Sequence, residues 1–248
     1  MSLQKELRAQ GDFLFKYRSY LPVVIILVGI GVYIQNIMDG SLASGKSAEI
    51  YKLCCLAVCF IGQYIRAHAI GDAAANTSGR NTSVGQVAEA VNTSGWYSIC
   101  RHPLYVGNFF MWLGIAGFTQ EPWFLVAFVF IYWVYYERIM FAEEAFLIDK
   151  YGEEYTNWSA HTPAFWPKFS QWRSPIYPFS WAKIIRQEKS GLLNLFLILF
   201  IFEVIRSYMV TGEFLNMEPY WYILFLASVV WYIIIKTLQK TTKIFEGR

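Results

Sequence analysis

Two short blocks hold the residues whose types and spacing suit chemistry. The first is Arg101-His102-Pro103-Leu104-Tyr105-Val106-Gly107-Asn108. Proline is favourable in the first turn of a helix because the N–H it lacks would be an orphan there. Arg101 and His102 would then sit at the positive end of a helix beside free backbone donors, a natural place for a carboxylate or phosphate. The same pair read simply would be interfacial cations that fix orientation. The second block follows about thirty residues later, where Arg138 precedes Glu143-Glu144. Helical neighbours point about 100° apart, so one carboxylate can face a ligand while the other meets water or a basic partner. No Ser-His-Asp, P-loop, Gly-x-Gly-x-x-Gly or His-Glu-x-x-His pattern is present, which leaves hydrolase, phosphate-loop and dinucleotide chemistry without support. Cys54, Cys55, Cys59 and Cys100 lack metal-ligand spacing with a histidine, so no metal site is expected.

The elements that must position these blocks are apolar. Of the 248 residues 56% are hydrophobic, 19% aromatic and only 16% charged, against about 25% charged in a soluble domain. Runs at 21–38, 49–70, 122–140, 191–210 and 219–235 approach the roughly 20 residues needed to cross a bilayer. The run at 105–118 is shorter and counts as a sixth, tilted or re-entrant. The pattern predicts an all-α, polytopic integral membrane protein with about six transmembrane helices. It forms a single domain over 1–248, with the first hydrophobic run a retained anchor. Placing the N-terminus inside makes 1–20, 72–101, 138–190 and 236–248 the inner segments, and these hold 17 of the 21 Lys and Arg. The positive-inside rule thus predicts cytoplasmic N- and C-termini and puts both blocks at the cytoplasmic face.

Residues 71–100, with Asn-Thr-Ser three times, read either as a flexible surface loop or as an ordered loop over a cofactor. Residues 142–155 carry carboxylates and apolar residues at helical spacing, with Gly152 marking a bend or a helix end. The four prolines of 161–181 preclude a continuous helix. Trp158, Trp166, Trp172 and Trp181 suit headgroup level. Arg66, Glu203 and Arg206 fall inside predicted spans, where a central charge costs about 2.5–3.5 kcal/mol on the insertion scale. Such residues are candidate anchors for an acceptor, or else Glu203 and Arg206 pair one turn apart.

Taken together, RHPLYVGN at 101–108 and ERIMFAEEAFLIDKYGEEY at 137–155 resemble the signature of the isoprenylcysteine carboxyl methyltransferase family, which membrane phospholipid methyltransferases share. The likeness covers about 93–167. It implies S-adenosylmethionine bound between membrane helices on the cytosolic side. By that resemblance Arg101, His102, Pro103, Tyr105, Gly107 and Asn108, with Glu143 and Glu144, are the cofactor-binding set. His102, Tyr105 and Gly107 would line the methionine end, and Glu143 and Glu144 would hold amino or ribose groups. Tyr132, Trp112 and Trp133 flank adenine or an acyl chain, or only pack.

The sequence departs from the prenylcysteine enzymes in continuing for about eighty residues beyond the motif region, with a further pair of spans at about 190–238. The expected function is O-methylation of a carboxylate or phosphate on a membrane lipid or prenylated acceptor. Arg138 would orient the acceptor as a catalytic residue, and Arg80, Arg66 and Arg206 would help to bind it. A phospholipid amine N-methyltransferase is the alternative, needing Glu144 or His161 as base. A non-enzymatic membrane transporter or binding protein is another. The expected partners are the bilayer and a lipid or lipidated acceptor, not nucleic acid. The location is a bacterial inner membrane or a eukaryotic endomembrane.

Overall fold

The computed structural model describes residues 2–18, 20–74, 77, 81–82, 85–86 and 89–245. They form a helical protein, as the apolar runs predict. In chain order the helices are α1 (Leu3–Lys16), α2 (Tyr20–Met38), α3 (Gly45–Asp72), α4 (Trp96–Ile99), α5 (Pro103–Gly117), α6 (Pro122–Tyr151), α7 (Glu153–Ser159), α8 (Trp181–Thr211) and α9 (Pro219–Thr241). Between α3 and α4, β1 (Asn81–Thr82) and β2 (Gly85–Gln86) pair antiparallel. Arg80 lies outside the described residues.

Sequence signals set the helix ends. Proline opens α5, α6 and α9, where its missing N–H costs nothing. Gly152, at φ +55°, ends α6 and begins α7, and Gly212, at φ +78°, ends α8. At the C-terminus of α3 the buried Lys183 ammonium donates to the Ala73 and Ala74 carbonyls at 2.9 and 2.8 Å. That places positive charge where the helix dipole is negative and ties the start of α8 to the end of α3.

Among the described helices α3 and α5 share the most extensive contact. Gly62 lies against the Gly107 carbonyl, and Gly114 lies against the Cys59 sulfur and the Cys55 carbonyl. A side chain at either glycine would collide with the facing helix, so small residues set the separation, as they do in membrane bundles. Gly114→Val should therefore lower the unfolding midpoint by an amount equivalent to about 1–3 kcal/mol of overpacking. Gly31→Val, where an added Cβ meets nothing within 4 Å, should leave it unchanged; thermal melts in detergent compare the two.

Four of the described helices, α3, α6, α8 and α9, are long and apolar enough to cross a membrane. The apolar part of α2, Pro22–Met38, is shorter. The 15 residues of α5 reach only about 22 Å at 1.5 Å per residue. Large apolar side chains point outward along these helices, among them Leu27, Phe60, Phe130, Leu226 and Ile233. That is the surface of a protein whose solvent is lipid, and the chain is an integral membrane protein. α1 lies along the C-terminal half of α6, its Gly11 against the Arg138 carbonyl and Ala142, and Arg8 pairs with Asp149 at 2.5 Å.

A polar cluster sits far from the motif blocks. The buried Lys52 ammonium lies 2.7 and 2.8 Å from the two oxygens of buried Glu203, and 2.8 Å from Glu49. The Tyr220 hydroxyl donates to Glu49 at 2.6 Å. The pairing of Glu203 with Arg206 expected from their one-turn spacing is thus replaced. Glu203 faces Lys52 across the α3–α8 contact, and Arg206 lies 3.9 Å from Glu49.

Candidate functional site

The site is built where the segment before α5 meets the proline-rich stretch after α7. Arg101 N–H donates to the Pro163 carbonyl, His102 N–H to Ala164 and Lys168 N–H to Ile99, at 2.9–3.1 Å. The prolines bar a helix at 163–168, and that irregular stretch bonds along 99–102 instead. His102 then takes the N-cap position and Pro103 the first turn of α5.

From this edge the two motif blocks meet. His102 is buried; its Nε2 lies 2.9 Å from Glu144 Oε1 and its Nδ1 3.6 Å from Glu143 Oε2. The Tyr105 hydroxyl donates to Glu143 Oε2 at 2.8 Å. Arg101 lies 3.0 Å from Glu144 through Nε and donates from Nη1 to the Ser159 carbonyl at 3.0 Å. Burial alone would lower the His102 pKa, but hydrogen bonds to Glu143 and Glu144 and their negative charge outweigh it and push it up to about 9. With a carboxylate on each ring nitrogen, His102 is an imidazolium at neutral pH. Two cations and two carboxylates therefore stand interlocked in one patch.

One cavity of about 90 Å³ opens on this patch. Its lining includes Arg101, His102, Pro103, Leu104, Tyr105 and Glu143, together with Tyr97, Phe146, Tyr155 and Trp158. Thr77 and Asn92 close it from the 71–100 loop, where Ala74 N–H and Thr77 are bonded to the Asn92 side chain at 2.9 Å. Thr77 and residues 90–92 of that loop thus line the cavity. The Tyr155 hydroxyl and the Trp158 indole N–H are buried with no hydrogen-bond partner among the described residues. Buried donors left unpaired cost about 1–3 kcal/mol, so two donors beside a cavity mark a place made for a polar ligand.

A second cavity, of about 560 Å³, lies behind Leu104 and Tyr105, which line both. Its wall includes Arg18, Arg66, Asn108, Tyr136, Arg186, Glu188, Lys189 and Gln239. Arg66 grips Glu188 through Nη2 at 2.6 Å and Nε at 3.1 Å, and donates to Asn108 Oδ1 at 2.6 Å. Gln63 adds a bond to Glu188 at 2.6 Å.

The fold thus gathers Arg101, His102, Pro103, Tyr105 and Glu143 on one cavity, with Glu144 behind them bracing His102 and Arg101. Asn108 and Arg66 face the second cavity. Gly107 faces α3 instead, against Arg66 and Gly62. Arg138 pairs with Glu137 at 2.8 Å, and no cavity described above includes it. Arg206 lies by Glu49, seventeen residues from Arg66 on α3, which is about 25 Å along a helix. His161 is exposed and lines neither cavity. Tyr132 packs in the core and donates to the Tyr105 carbonyl at 2.6 Å. Trp166, Trp172 and Trp181 are exposed as an interfacial seat requires, whereas Trp158 turns inward. Sequence reasoning missed Tyr97, Tyr155 and Trp158. Only Tyr155 carried a signal, as the last residue of the Gly-x-x-Tyr run at 152–155.

Fold and site together define a helical membrane protein with an imidazolium–carboxylate–guanidinium site at one end of its bundle. Residues 51–154 match the family model for phospholipid methyltransferase. Over 117 residues the chain is 29% identical to the protein-S-isoprenylcysteine O-methyltransferase of Schizosaccharomyces pombe, covering 47% of this chain and 49% of that protein. Over 107 residues it is 31% identical to the enzyme of the same name from Saccharomyces cerevisiae, covering 42% and 45%. Over 81 residues it is 35% identical to a cobalt-zinc-cadmium resistance protein of Cupriavidus metallidurans, covering 33% and 37%. The matches span less than half the length of these curated relatives. No solved structure matches. The resemblance read from the two motif blocks is borne out, because the matched segment contains the first block and all of the second but its last residue, Tyr155. Among the described residues no group of three or more His, Cys, Asp or Glu is placed to hold a metal ion.

Proposed function

We propose that this chain is a membrane methyltransferase that uses S-adenosylmethionine to methylate an anionic oxygen, a carboxylate or phosphate, on a membrane lipid or prenylated acceptor. The observation that carries the reading is the Arg101–His102–Glu143–Glu144 patch, which opens on a cavity within the segment similar to methyltransferases. The residues fit the cofactor. A balanced set of two cations and two carboxylates suits the zwitterionic amino-acid end, and the unpaired Tyr155 and Trp158 donors suit its polar groups. S-adenosylmethionine, when bound, supplies a methyl group on a sulfonium: a lone pair of the acceptor oxygen forms the new O–C bond, the C–S pair stays on sulfur, and an anionic oxygen gives up no proton.

The protein's own task is then to position and to exclude water. Glu143, held by Tyr105 and His102, would offer negative charge to the cofactor's ammonium. Arg101 and His102 keep Glu144 neutralised, so Glu144 positions the patch. Phe146, Tyr97 and the Trp158 ring wall the cavity against water. Arg66 and Asn108 lie on the far side of Tyr105, and we assign acceptor orientation to that side, not to Arg138. O-methylation is favoured over amine N-methylation by the state of the bases. Glu143, Glu144 and Glu188 each hold a cation or a hydroxyl donor, and His161 lies outside both cavities. We also propose that α2 and α5 complete six crossings with both termini and both cavities at the cytoplasmic face, in keeping with the 17 basic residues on the inner segments.

Calorimetry of the purified protein with S-adenosylhomocysteine should show binding in the micromolar range. Folded protein that ignores millimolar ligand would remove the methyltransferase reading. Mass spectrometry of lipids and proteins from cells with and without the gene should show one methylene mass added to a carboxyl or phosphoryl oxygen. The same mass found on an amine would replace O-methylation by N-methylation.

A further inference from the structure

The first cavity has a wall that is supported from outside the segment similar to methyltransferases. Thr77 and Asn92 line that wall and lie within 51–154. What holds them lies at 173–183, beyond that segment. Before Thr77, the Ser180 N–H donates to the Gly71 carbonyl at 3.2 Å. There too, buried Lys183 donates from Nζ to the Ala73 and Ala74 carbonyls at 2.9 and 2.8 Å. After Asn92, the Ile176 N–H donates to Ser94 Oγ at 3.1 Å and the Arg173 N–H to Ser98 Oγ at 2.9 Å. The Gly95 N–H returns a bond to the Arg173 carbonyl at 2.9 Å. One short stretch of chain thus grips the 71–100 loop on both sides of the residues that face the cavity.

We infer that Lys183 is a positioning residue for the donor site, and that through it α8 sets how tightly this chain holds S-adenosylmethionine. The inference rests on the methyltransferase reading and deepens it. Lys183 lines neither cavity, so it acts through the chain it holds. The Ala74 carbonyl that accepts from Lys183 also accepts from Thr77 Oγ1 at 2.7 Å. The Ala74 N–H donates to Asn92 Oδ1, and Asn92 Nδ2 donates to Thr77 Oγ1, each at 2.9 Å. Ala74, Thr77 and Asn92 therefore form a closed ring of bonds whose anchor is the ammonium. A buried ammonium that parts from its acceptors is costly, so these carbonyls stay fixed relative to α8, and the two cavity residues with them. A lysine that merely capped the end of α3 would not need Ala74, which lies beyond the helix.

The test uses the full chain in detergent, with calorimetry of S-adenosylhomocysteine and, without ligand, amide hydrogen exchange. Lys183→Met should weaken S-adenosylhomocysteine at least tenfold and speed exchange in the peptide that carries the Ala74 amide. Asn92→Ala should weaken binding too, and the double variant should be little worse than the poorer single, because both changes break one path. Lys52→Met is the comparison for a purely structural loss: it destabilises the bundle from the other end of α3 and should leave the affinity of the folded protein within twofold. Ser94→Ala with Ser98→Ala loosens the far side of the grip without disturbing a buried charge. That pair should weaken binding in the same direction, and it decides the matter if Lys183→Met does not fold. Affinity within twofold of the parent in the folded variants would overturn the inference, as would unchanged exchange at Ala74 or losses that add in the Lys183–Asn92 double variant. A parent that ignores S-adenosylhomocysteine would instead remove the methyltransferase reading and the inference with it.

Discussion

Replacing His102 by alanine should lower affinity for S-adenosylhomocysteine by about 100-fold or more while the protein remains folded in detergent. Both ring nitrogens face carboxylates, so removing the ring leaves Glu143 and Glu144 to repel one another in a largely buried place. Removing one partner of a buried ion pair typically costs about 3–5 kcal/mol, and 1.4 kcal/mol is a factor of ten. Part of that is recovered as Glu144 turns to Arg101, which is why the expected loss is nearer two decades than three. The pH dependence identifies the cause. The folded pKa of about 9 stands above the ordinary value of 6.5, so the stability that His102 contributes is fully present below about pH 6.5 and is lost as pH rises through about 9. Because the folded protein keeps His102 protonated up to about pH 9, cofactor affinity in the parent should hold through neutrality and fall near pH 9, and His102→Ala should lack that fall. Wild-type affinity in the variant, or the same fall above pH 8 in both proteins, would show that the imidazolium does not hold the patch together.

Why so much of this patch was legible in the sequence is a matter of locality. Pro103 fixes the start of α5 by its own ring, and helical spacing then determines that Tyr105 and His102 lie on related turns. Arg66 and the carboxylates of α6 announce themselves because charge in an apolar run is costly. Partners across the bundle were harder. The one-turn spacing of Glu203 and Arg206 suggested a local pair, yet tertiary packing brought Lys52 closer, from a position 151 residues away. Arg138 looked well placed by its neighbourhood in the motif block. Its main chain, however, faces α1, where Gly11 allows close approach, and no spacing rule applies across that contact. Gly107 belonged to the quoted motif, and the structure gives it a packing role against Gly62. Tyr155 and Trp158 enter the cavity from α7, which the chain starts after breaking α6 at Gly152, at φ +55°. A break can be anticipated from glycine, but the direction of the following helix cannot.

The second large effect lies far from the chemistry, in the buried pair of α3 and α8. Lys52→Met should destabilise the protein by about 3–5 kcal/mol, because it leaves the Glu203 carboxylate buried beside Glu49 with its cation gone. Glu203→Leu alone should cost a similar amount, although Lys52 keeps Glu49. Combining the two should recover most of the loss, since two apolar groups of similar volume replace a pair whose desolvation offsets much of its attraction. Unfolding in detergent by denaturant gives all four corners of this cycle. A double variant as unstable as the sum of the singles would mean that the two side chains act independently, and then the pair could not be what joins α3 to α8. Recovery in the double variant, with S-adenosylhomocysteine affinity unchanged throughout, would show that this cluster serves the bundle and leaves the chemistry to the opposite end of α3.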